Sequence, residues 1–316
     1  MMKALVTGGA GFIGSHLAEA LVRRGAHVVV LDNLSSGSRA NLAGPGLAGQ
    51  IEFVPGDVTD AAAVRRAMAG CDWVFHQAAL VSVPKSVQYP RESHRDNVVG
   101  TLEVLTAARD TGVRRMVLAS SSAVYGDREE VTKREDLPPL PLTPYALQKY
   151  AAERYGQLFH ALYGLETVAL RYFNVFGPRQ AADSPYSGVI ARFCAAFLAS
   201  QRPTVFGDGH QSRDFVYVAN VVAANLAAAE GAAERVAGRV FNVGTGTSLT
   251  LLELIGELQR LTGHALEPQF EPPRPGDVRF SNADVAAATR DLDYRVAVSW
   301  QAGLAATLDW YRAQLR

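Results

Sequence analysis

Tyr145 and Lys149 are two side chains whose types and spacing could carry out acid–base chemistry. They lie four residues apart in a stretch with strong helix propensity, so both project from one face of a helix. A phenol with an ordinary pKa near ~10 is a poor base at neutral pH, but a neighbouring ammonium favours its ionised form. The pair therefore predicts a tyrosine that takes a proton from an alcohol as a hydride leaves its carbon. An ordinary exposed helix pair has the same spacing, so this interpretation depends on a hydride acceptor nearby.

The first residues of the chain have the pattern of a site for such an acceptor. Thr7–Gly14 reads Thr-Gly-Gly-Ala-Gly-Phe-Ile-Gly and follows an apolar strand. Gly8 allows a sharp turn, Gly11 lets the backbone approach a pyrophosphate, and Gly14 lets the next helix lie against the sheet. Asp32 ends the next apolar strand, about 20 residues beyond the glycines, where a carboxylate binds the adenosine ribose hydroxyls. Because that carboxylate would repel a 2′-phosphate, the sequence predicts NAD rather than NADP.

Three consecutive serines, Ser120, Ser121 and Ser122, follow a predicted strand over residues 115–119. Ligands of parallel sheets bind at the carboxyl ends of strands, where a hydroxyl can donate to or relay a proton from a reacting oxygen. The serines could instead cap the strand end and satisfy the loop backbone. That alternative stays open for Ser120 and Ser122, and Ser121 is the predicted catalytic hydroxyl.

The elements that must position these residues alternate along the first half of the chain. Apolar strands and amphipathic helices follow one another up to about residue 171, which predicts a parallel sheet with helices on both faces. The predicted strands cover 3–7, 27–32, 51–55, 73–76, 115–119 and 166–171, and the predicted helices cover 12–24, 60–69, 97–112 and 145–163. Shorter elements follow, with helices near 188–200, 218–230, 250–262 and 300–315.

The predicted fold class is α/β, a doubly wound parallel sheet of the NAD-binding Rossmann type with a smaller C-terminal α/β lobe. The expected domain division places the NAD-binding domain at 1–175 and the substrate-binding lobe at 176–316. Segments from about 210–245 are expected to return to the first domain.

Composition excludes several classes of function. The 316 residues are 48% hydrophobic and carry a formal net charge of zero, so nothing attracts the chain to nucleic acid or to an anionic membrane. Cys71 and Cys194 stand in apolar surroundings without metal-like spacing, which predicts reduced core thiols. The seven histidines also lack metal-ligand spacing, so we expect no metal. A core strand is predicted from residue 3 and no apolar run approaches ~20 residues, so we expect neither signal peptide nor membrane span, and a cytoplasmic location.

Taken together, these motifs resemble those of the extended short-chain dehydrogenase/reductase family, in its nucleotide-sugar 4-epimerase branch. The resemblance covers nearly the whole chain. The matching segments are Thr7–Gly14, Asp32–Asn33, Gly56–Val58, His76–Ala79, Asn97, Ser120–Gly126, Tyr145–Lys149, Arg171–Pro178, Arg213–Phe215 and Arg274–Asp277.

The resemblance implies a reaction on a UDP-sugar. Tyr145, helped by Ser121, would remove the proton of the sugar 4-hydroxyl while the C4 hydride passes to NAD. The 4-keto sugar would then turn, present its other face and recover the hydride with C4 inverted. The implied cofactor contacts are Gly8, Gly11, Phe12, Ile13, Gly14, Asp32, Asn33, Asp57, Val58, Gln77, Ala78, Ala79, Asn97, Ser120, Tyr145, Lys149 and Tyr172. The implied substrate contacts are Lys85, Ser121, Ser122, Tyr145, Asn174, Arg213, Arg274, Asp277 and Ser281.

Departures from the family patterns bear on the substrate. Related dehydratases and decarboxylases carry acidic residues where Ser122 and Ala123 stand, so simple epimerisation is favoured. Some glucose-type epimerases have a lysine at the position of Val81, and Lys85 is the candidate replacement. Ser281 matches a pocket wall that is tyrosine in strict glucose/galactose enzymes, which leaves space for a 2-acetamido group.

The predicted reaction is therefore interconversion of UDP-glucose and UDP-galactose, with UDP-GlcNAc and UDP-GalNAc as further substrates. A UDP-glucuronate 4-epimerase is the alternative within the fold, since such relatives share the small wall residue. A non-catalytic NAD-binding subunit is the alternative from another class, although such proteins usually lose the tyrosine or lysine retained here. The resemblance also suggests a homodimer packed through helices 97–112 and 145–163.

Overall fold

The computed structural model of the protein describes residues 2–44, 46–47, 49–182, 188–273 and 278–315. The strands are β1 (Lys3–Thr7), β2 (His27–Asp32), β3 (Ile51–Pro55), β4 (Trp73–His76), β5 (Arg115–Ser121), β6 (Thr132–Lys133), β7 (Glu166–Tyr172), β8 (Asn174–Phe176), β9 (Thr204–Phe206), β10 (Ser212–Arg213), β11 (Phe215–Tyr217), β12 (Arg239–Val243), β13 (Leu249–Thr250), β14 (Gln269–Glu271) and β15 (Phe280–Ala283). The helices are α1 (Phe12–Arg23), α2 (Ala61–Met68), α3 (Val83–Gln88), α4 (Pro90–His94), α5 (Gly100–Asp110), α6 (Pro144–Tyr163), α7 (Val189–Leu198), α8 (Val218–Glu230), α9 (Ala233–Val236), α10 (Leu251–Thr262), α11 (Ala286–Leu292) and α12 (Trp300–Gln314).

A parallel main sheet dominates the structure. Across the described residues it has seven strands in the order β12-β7-β5-β4-β1-β2-β3. β1 pairs with β2 on one side and with β4 on the other, so the direction of winding reverses beside β1. The predicted doubly wound α/β fold is confirmed.

Helices cover both faces of the main sheet because successive strand residues point to opposite faces. Ala4 and Val6 of β1 join a buried cluster with α1 and α8. Leu5, between them, joins a second cluster with α2, α5 and the C-terminal half of α6. Continuous apolar strands are thus explained by burial on both sides.

Local capping residues set several helix ends close to the predicted bounds 60–69 and 145–163. The Asp60 carboxylate accepts from two backbone N–H groups at the start of α2. Thr143 caps α6 by accepting from the Ala146 N–H, and Pro144 occupies its first turn. Gly164 then ends α6 in the left-handed conformation that glycine adopts without strain.

Other elements were not predicted. The helix expected over 97–112 is preceded by α3, α4 and a π-helical turn over 95–99, and the α-helical part is 100–110. Pro84 and Pro90 occupy first turns of α3 and α4, where the missing N–H costs no hydrogen bond. β12 adds residues 239–243 to the main sheet beside β7. The division at 175/176 stays a prediction.

The C-terminal part of the chain has its own apolar core. α7, α10 and α12 enclose a cluster that includes Phe193, Phe197, Leu254 and Leu308. Beside it lies a small sheet in the order β13-β10-β15-β6, with pairs of strands β8–β11 and β9–β14 nearby. Cys71 and Cys194 are buried free thiols, as predicted. Among the described residues, no helix combines the length and apolarity that crossing a bilayer requires.

Candidate active site

The predicted cofactor and catalytic residues meet at one edge of the main sheet. The glycine-rich turn follows β1, Asp32 ends β2, and Gln77 follows β4. Ser121 ends β5 and Tyr172 ends β7. Because all these strands are parallel, their carboxyl ends face the same crevice, which is where ligands bind in such sheets.

The turn between β1 and α1 has no space for side chains. Gly8 has φ +66°, and a Cβ there would lie 2.7 Å from the Ala78 backbone nitrogen. A Cβ on Gly14 would lie 2.2 Å from the Gly8 carbonyl oxygen. α1 starts at Phe12 with Gly11 as its N-cap, and no described side chain caps it. The helix start therefore leaves backbone N–H groups for a pyrophosphate, as an NAD site requires.

Asp32 is held in place by the backbone of the turn that it faces. Its Oδ2 accepts from the Ala10 N–H at 2.9 Å, and its Oδ1 accepts from the Leu34 N–H at 2.7 Å. Each oxygen keeps a further lone pair for a ribose hydroxyl. The predicted cofactor contacts Asn33 and Asp57 lie beside it, joined by a 2.7 Å hydrogen bond from the amide to the carboxylate.

Tyr145 and Lys149 are buried on α6 and face the end of β5. The Lys149 ammonium donates to the Ala119 carbonyl at 2.9 Å and lies 6.0 Å from the centre of the Tyr145 ring. Burial raises the pKa of Tyr145 to about 12, although a hydrogen bond with Ser121 opposes the shift. Burial lowers the pKa of Lys149 to about 8, opposed by the negative charge of Glu153. The structure thus brings the three predicted catalytic side chains together.

Glu153 is a functional candidate that the sequence interpretation missed. Its buried carboxylate accepts from the Ser120 hydroxyl at 2.5 Å and from the Arg171 guanidinium at 2.9 and 2.8 Å. It lies one helical turn beyond Lys149, so it joins α6 to the ends of β5 and β7. An acidic residue four positions after Lys149 on a buried helix face was the available signal.

Several predicted cofactor contacts have polar side-chain atoms that form hydrogen bonds with other protein groups. Ser120 bonds to Glu153, as above. Asn97 accepts from the Leu80 N–H at 2.8 Å and donates to Gln148 at 2.9 Å. The Tyr172 hydroxyl shares hydrogen bonds with Asn225 and Gln77. These groups border the crevice, and their contact with NAD stays a prediction.

The remaining predicted cofactor residues surround the same edge. Phe12 and Ile13 form the half-buried first turn of α1, Ala78 and Ala79 follow β4, and Val58 is a buried residue of the loop after β3. The His76 imidazole lies below them between Thr7 and Thr101, and burial lowers its pKa to about 3. It is therefore neutral at physiological pH, and its two ring nitrogens connect β1 to the start of α5 through hydrogen bonds.

The predicted substrate contacts Asn174, Arg213 and Ser281 come together at the small sheet. Arg213 and Ser281 are directly paired between β10 and β15. Asn174, at the start of β8, pairs with the start of β11, which follows β10. Arg274 and Asp277 lie outside the described residues.

Two further predicted substrate residues, Ser122 and Lys85, lie on segments next to the β5 end and α6. Ser122 begins the 3-10 turn after β5. Lys85 lies on exposed α3, whose buried Ser86 hydroxyl accepts from the Tyr145 backbone N–H at 3.1 Å. This bond joins α3 to the first turn of α6, and so places Lys85 near the catalytic helix.

A cavity of about 650 Å³ in the C-terminal part was not predicted. Its lining combines aromatic, amide and charged side chains: Phe206, Gly207, Asp208, Gln211, Phe270, Glu271, Pro273, Val278 and Arg279. Arg279 lies two residues before Ser281 and its carbonyl accepts from the Arg213 guanidinium at 3.2 Å, so the cavity lies next to two of the predicted substrate contacts. Aromatic faces beside a guanidinium suit a nucleobase and its phosphates. Among the described residues, no group of His, Cys, Asp and Glu is arranged to hold a metal.

The packing of the glycine-rich turn predicts that position 14 does not tolerate a side chain. In Gly14→Ala the new Cβ must displace the Gly8 carbonyl, which should cost about 1–3 kcal/mol of stability and most of the bound NAD. Gly256→Ala on α10 is the matched control, because its Cβ has open space. Urea unfolding and the NAD released on denaturation measure both effects. Normal NAD content in Gly14→Ala would contradict the assignment of the cradle.

The buried pair of Glu153 and Arg171 predicts a second large effect. Glu153→Gln leaves the Arg171 charge buried without its partner and should lower the free energy of unfolding by about 3–5 kcal/mol. Asp136→Asn breaks the exposed pair with Arg134 and should cost about 0–1 kcal/mol. Chemical denaturation of the two variants at neutral pH makes the comparison, and equal losses would refute the distinction.

Comparisons with known proteins agree with this geometry. The profile of the NAD dependent epimerase/dehydratase family matches residues 4–244. The UDP-glucose 4-epimerase of Mycolicibacterium smegmatis is 40% identical over 313 residues, which cover 98% of this chain and 99% of that protein.

Solved structures extend the likeness over the full fold. The Thermotoga maritima UDP-glucose 4-epimerase with UDP-glucose has 38% identity and a TM-score of 0.94, and the match covers 100% of both chains. The Methanobrevibacter ruminantium UDP-N-acetylglucosamine 4-epimerase, in complex with UDP-N-acetylmuramic acid, has 37% identity and a TM-score of 0.94 over 99% of both chains. The resemblance inferred from the motifs is confirmed: the chain belongs to the NAD-dependent epimerase/dehydratase family, and its cofactor is NAD.

Proposed function

We propose that this NAD-dependent UDP-sugar 4-epimerase interconverts UDP-glucose and UDP-galactose and also acts on UDP-GlcNAc and UDP-GalNAc. The observation that carries the proposal is the cluster of Ser121, Tyr145 and Lys149 at the sheet edge that holds the glycine-rich turn. The turn, Asp32 and the segment 77–79 would hold NAD. Bound NAD supplies a hydride acceptor and donor for C4 of the sugar.

Tyr145 is the proposed base for the sugar 4-hydroxyl. Because burial raises the pKa of its phenol to about 12, the side chain needs nearby positive charge to lose its proton at neutral pH. The Lys149 ammonium provides such charge and is fixed by the Ala119 carbonyl. The Ser121 hydroxyl, hydrogen-bonded to the phenol, can pass the proton to or from the sugar oxygen.

The loop after β5 supports epimerisation over elimination or decarboxylation. Ser122 and Ala123, both half-buried beside Ser121, offer no carboxyl group to move a proton at a carbon other than C4. The 4-keto sugar therefore undergoes neither elimination nor decarboxylation, and the remaining reaction is return of the hydride to C4. Return to the opposite face requires the sugar to turn within the site.

Such a turn requires firm binding of the UDP part and loose binding of the sugar. Arg213 and the cavity of Phe206, Phe270 and Arg279 are suited to the nucleotide. They lie in the C-terminal part of the chain, whereas Tyr145 and Lys149 lie on α6 against the main sheet. This separation supports a substrate anchored at one end and free to rotate at the other.

The small side chain of Ser281 supports substrates with a 2-acetamido group. It is buried opposite Arg213, and a hydroxymethyl group leaves volume that a tyrosine would occupy. The names of the two solved relatives above refer to UDP-glucose and to UDP-N-acetylglucosamine, which agrees with a site that accepts both kinds. UDP-glucuronate is the second candidate, favoured by the Lys85 ammonium on α3 beside the catalytic helix.

We also propose a homodimer and a cytoplasmic location. On the first of the two helices predicted to form the dimer, 97–112, Val98, Leu105 and Ala108 are buried in the protomer's own core and Leu102 is partly buried against it. The outer face of α6 instead exposes large apolar side chains, namely Leu147, Leu158 and Leu162. An apolar helix face of this kind suits packing against a second copy. Buried free thiols agree with a reducing compartment.

Removal of the Tyr145 hydroxyl tests the proposed chemistry. Tyr145→Phe should lower kcat about 10²–10⁴-fold, because a general base is lost, while NAD content stays normal. Tyr150→Phe, on the same helix, is the matched control and should stay within about twofold of the parent activity. The assay incubates each protein separately with UDP-glucose, UDP-GlcNAc and UDP-glucuronate without added NAD and follows the C4 epimer. Full turnover by Tyr145→Phe would reject the assignment.

The pocket wall at Ser281 gives a test of substrate range. Ser281→Tyr should reduce kcat/KM for UDP-GlcNAc relative to UDP-glucose about tenfold or more, because the phenol fills the space for the acetamido group. Ser281→Ala keeps the volume and should leave the ratio unchanged. If Ser281→Tyr retains the parent ratio of kcat/KM values, the wall does not select the sugar. If the parent enzyme converts only UDP-glucuronate to its C4 epimer, the alternative substrate is favoured.

A further inference from the structure

Asp214, between β10 and β11, is a fully buried carboxylate without a cationic partner among the described residues. Its Oδ1 accepts from the Thr245 N–H and the Thr245 hydroxyl, each at 2.8 Å. Its Oδ2 accepts from the Gly246 N–H at 3.0 Å and the Ala283 N–H at 3.1 Å. Backbone dipoles and one hydroxyl thus compensate the charge, and both oxygens are fully used.

The main chain of Asp214 is also engaged. Its N–H donates to the Ser281 carbonyl at 2.9 Å. Its carbonyl accepts from the Asn174 backbone N–H at 3.0 Å and from the Asn174 side-chain amide at 3.3 Å. Arg213 is the preceding residue. The proposed substrate contacts Asn174, Arg213 and Ser281 belong to different strands, and each is one peptide or one hydrogen bond from Asp214.

The same carboxylate connects the two sheets. Thr245 and Gly246 follow β12, the edge strand of the main sheet, whereas Ala283 ends β15 of the small sheet. The loop approaches closely, since a Cβ on Gly244 would lie 2.7 Å from the Asp214 Oδ2. The Asp214 side chain therefore fixes the sheet that carries the NAD site to the sheet that carries the substrate contacts, next to a second connection in which the Asn242 amide of β12 donates to the Lys133 carbonyl of β6 at 2.8 Å.

We infer that Asp214 is a positioning residue for UDP: it holds Asn174, Arg213 and Ser281 in one arrangement and sets their distance from the main sheet. This inference rests on the proposed function. The site requires two hydrogen-bond acceptors, one at each oxygen position of the carboxylate. An asparagine does not satisfy it, because its NH₂ group in either position would face N–H donors. Because protein donors occupy both carboxylate oxygens, we expect the loss of the carboxylate to act on nucleotide binding through the residues that it positions.

The experiment compares Asp214→Asn with a matched control in the same part of the chain. Asn220 on α8 is as deeply buried, accepts from the Ala297 and Val298 N–H groups and donates to the Val298 carbonyl. Asn220→Ala removes a comparable buried connection away from the proposed contacts. Titration calorimetry with UDP, NAD content, and kcat and KM for the accepted UDP-sugar are measured for the parent and both variants.

We expect Asp214→Asn to weaken UDP binding about tenfold or more and to raise KM accordingly. Its NAD content should match the parent, and kcat should stay within a few fold. Asn220→Ala should lower thermal stability while the UDP dissociation constant stays at the parent value. Equal UDP affinity in Asp214→Asn and parent, or equal weakening in Asn220→Ala, overturns the inference.

The outcome for the parent protein separates this inference from the proposed function. A parent that does not bind UDP overturns the proposed function and the inference with it, whereas a parent that binds UDP equally to Asp214→Asn overturns the inference alone. If Asp214→Asn does not fold, Thr245→Val replaces it, because this change removes one donor to Oδ1 and keeps the charge. Its UDP affinity should fall several-fold with NAD content unchanged, and an unaltered affinity overturns the inference.

Discussion

The parallel pairing of β1 between β2 and β4 is the constraint on which the rest of the site depends. Parallel strands present their carboxyl ends to the same edge, so the glycine-rich turn, Asp32 and the segment after β4 meet there, and the Ala10 N–H of the turn donates to Asp32. The turn then has to be built of glycine, because the Gly8 carbonyl and the Ala78 backbone occupy the positions that Cβ atoms would need. The extension of the sheet through β5 and β7 brings the serines and Tyr172 to the same crevice.

Buried carboxylates hold this arrangement together. Asp32 bonds the turn that it faces, Glu153 bonds α6 to β5 and β7, and Asp214 bonds the main sheet to the small one. In each case a charge removed from water is satisfied by donors from separate segments of chain. Such groups give a defined geometry, since any displacement leaves an unsatisfied oxygen in the interior. Lys149, which we propose takes part in catalysis, depends on the same principle, because its ammonium is fixed by a strand carbonyl and faces the charge of Glu153.

The two parts of the chain hold different groups of the proposed site. The main sheet and α6 hold the groups proposed for hydride and proton transfer, and the C-terminal strands hold those proposed for the nucleotide. A sugar that must turn over between two half-reactions needs this separation of anchor and reaction centre. The hydrogen bonds of Asp214 join the two sheets, and from them we infer that the nucleotide contacts stay at a fixed distance from the main sheet.

The sequence alone determined the local features. Alternating apolar strands, the Asp60 and Thr143 caps, the glycines of the turn and the Tyr145–Lys149 spacing depend on residues close together in the chain, so their patterns predicted fold class, cofactor and catalytic residues. Tertiary structure alone decided the partners of Glu153 and Asp214, the place of β12 beside β7, and the cavity around Phe206 and Phe270. These contacts join residues far apart in sequence. The sequence alone does not distinguish an acidic residue that becomes buried from an ordinary exposed one on a helix or loop.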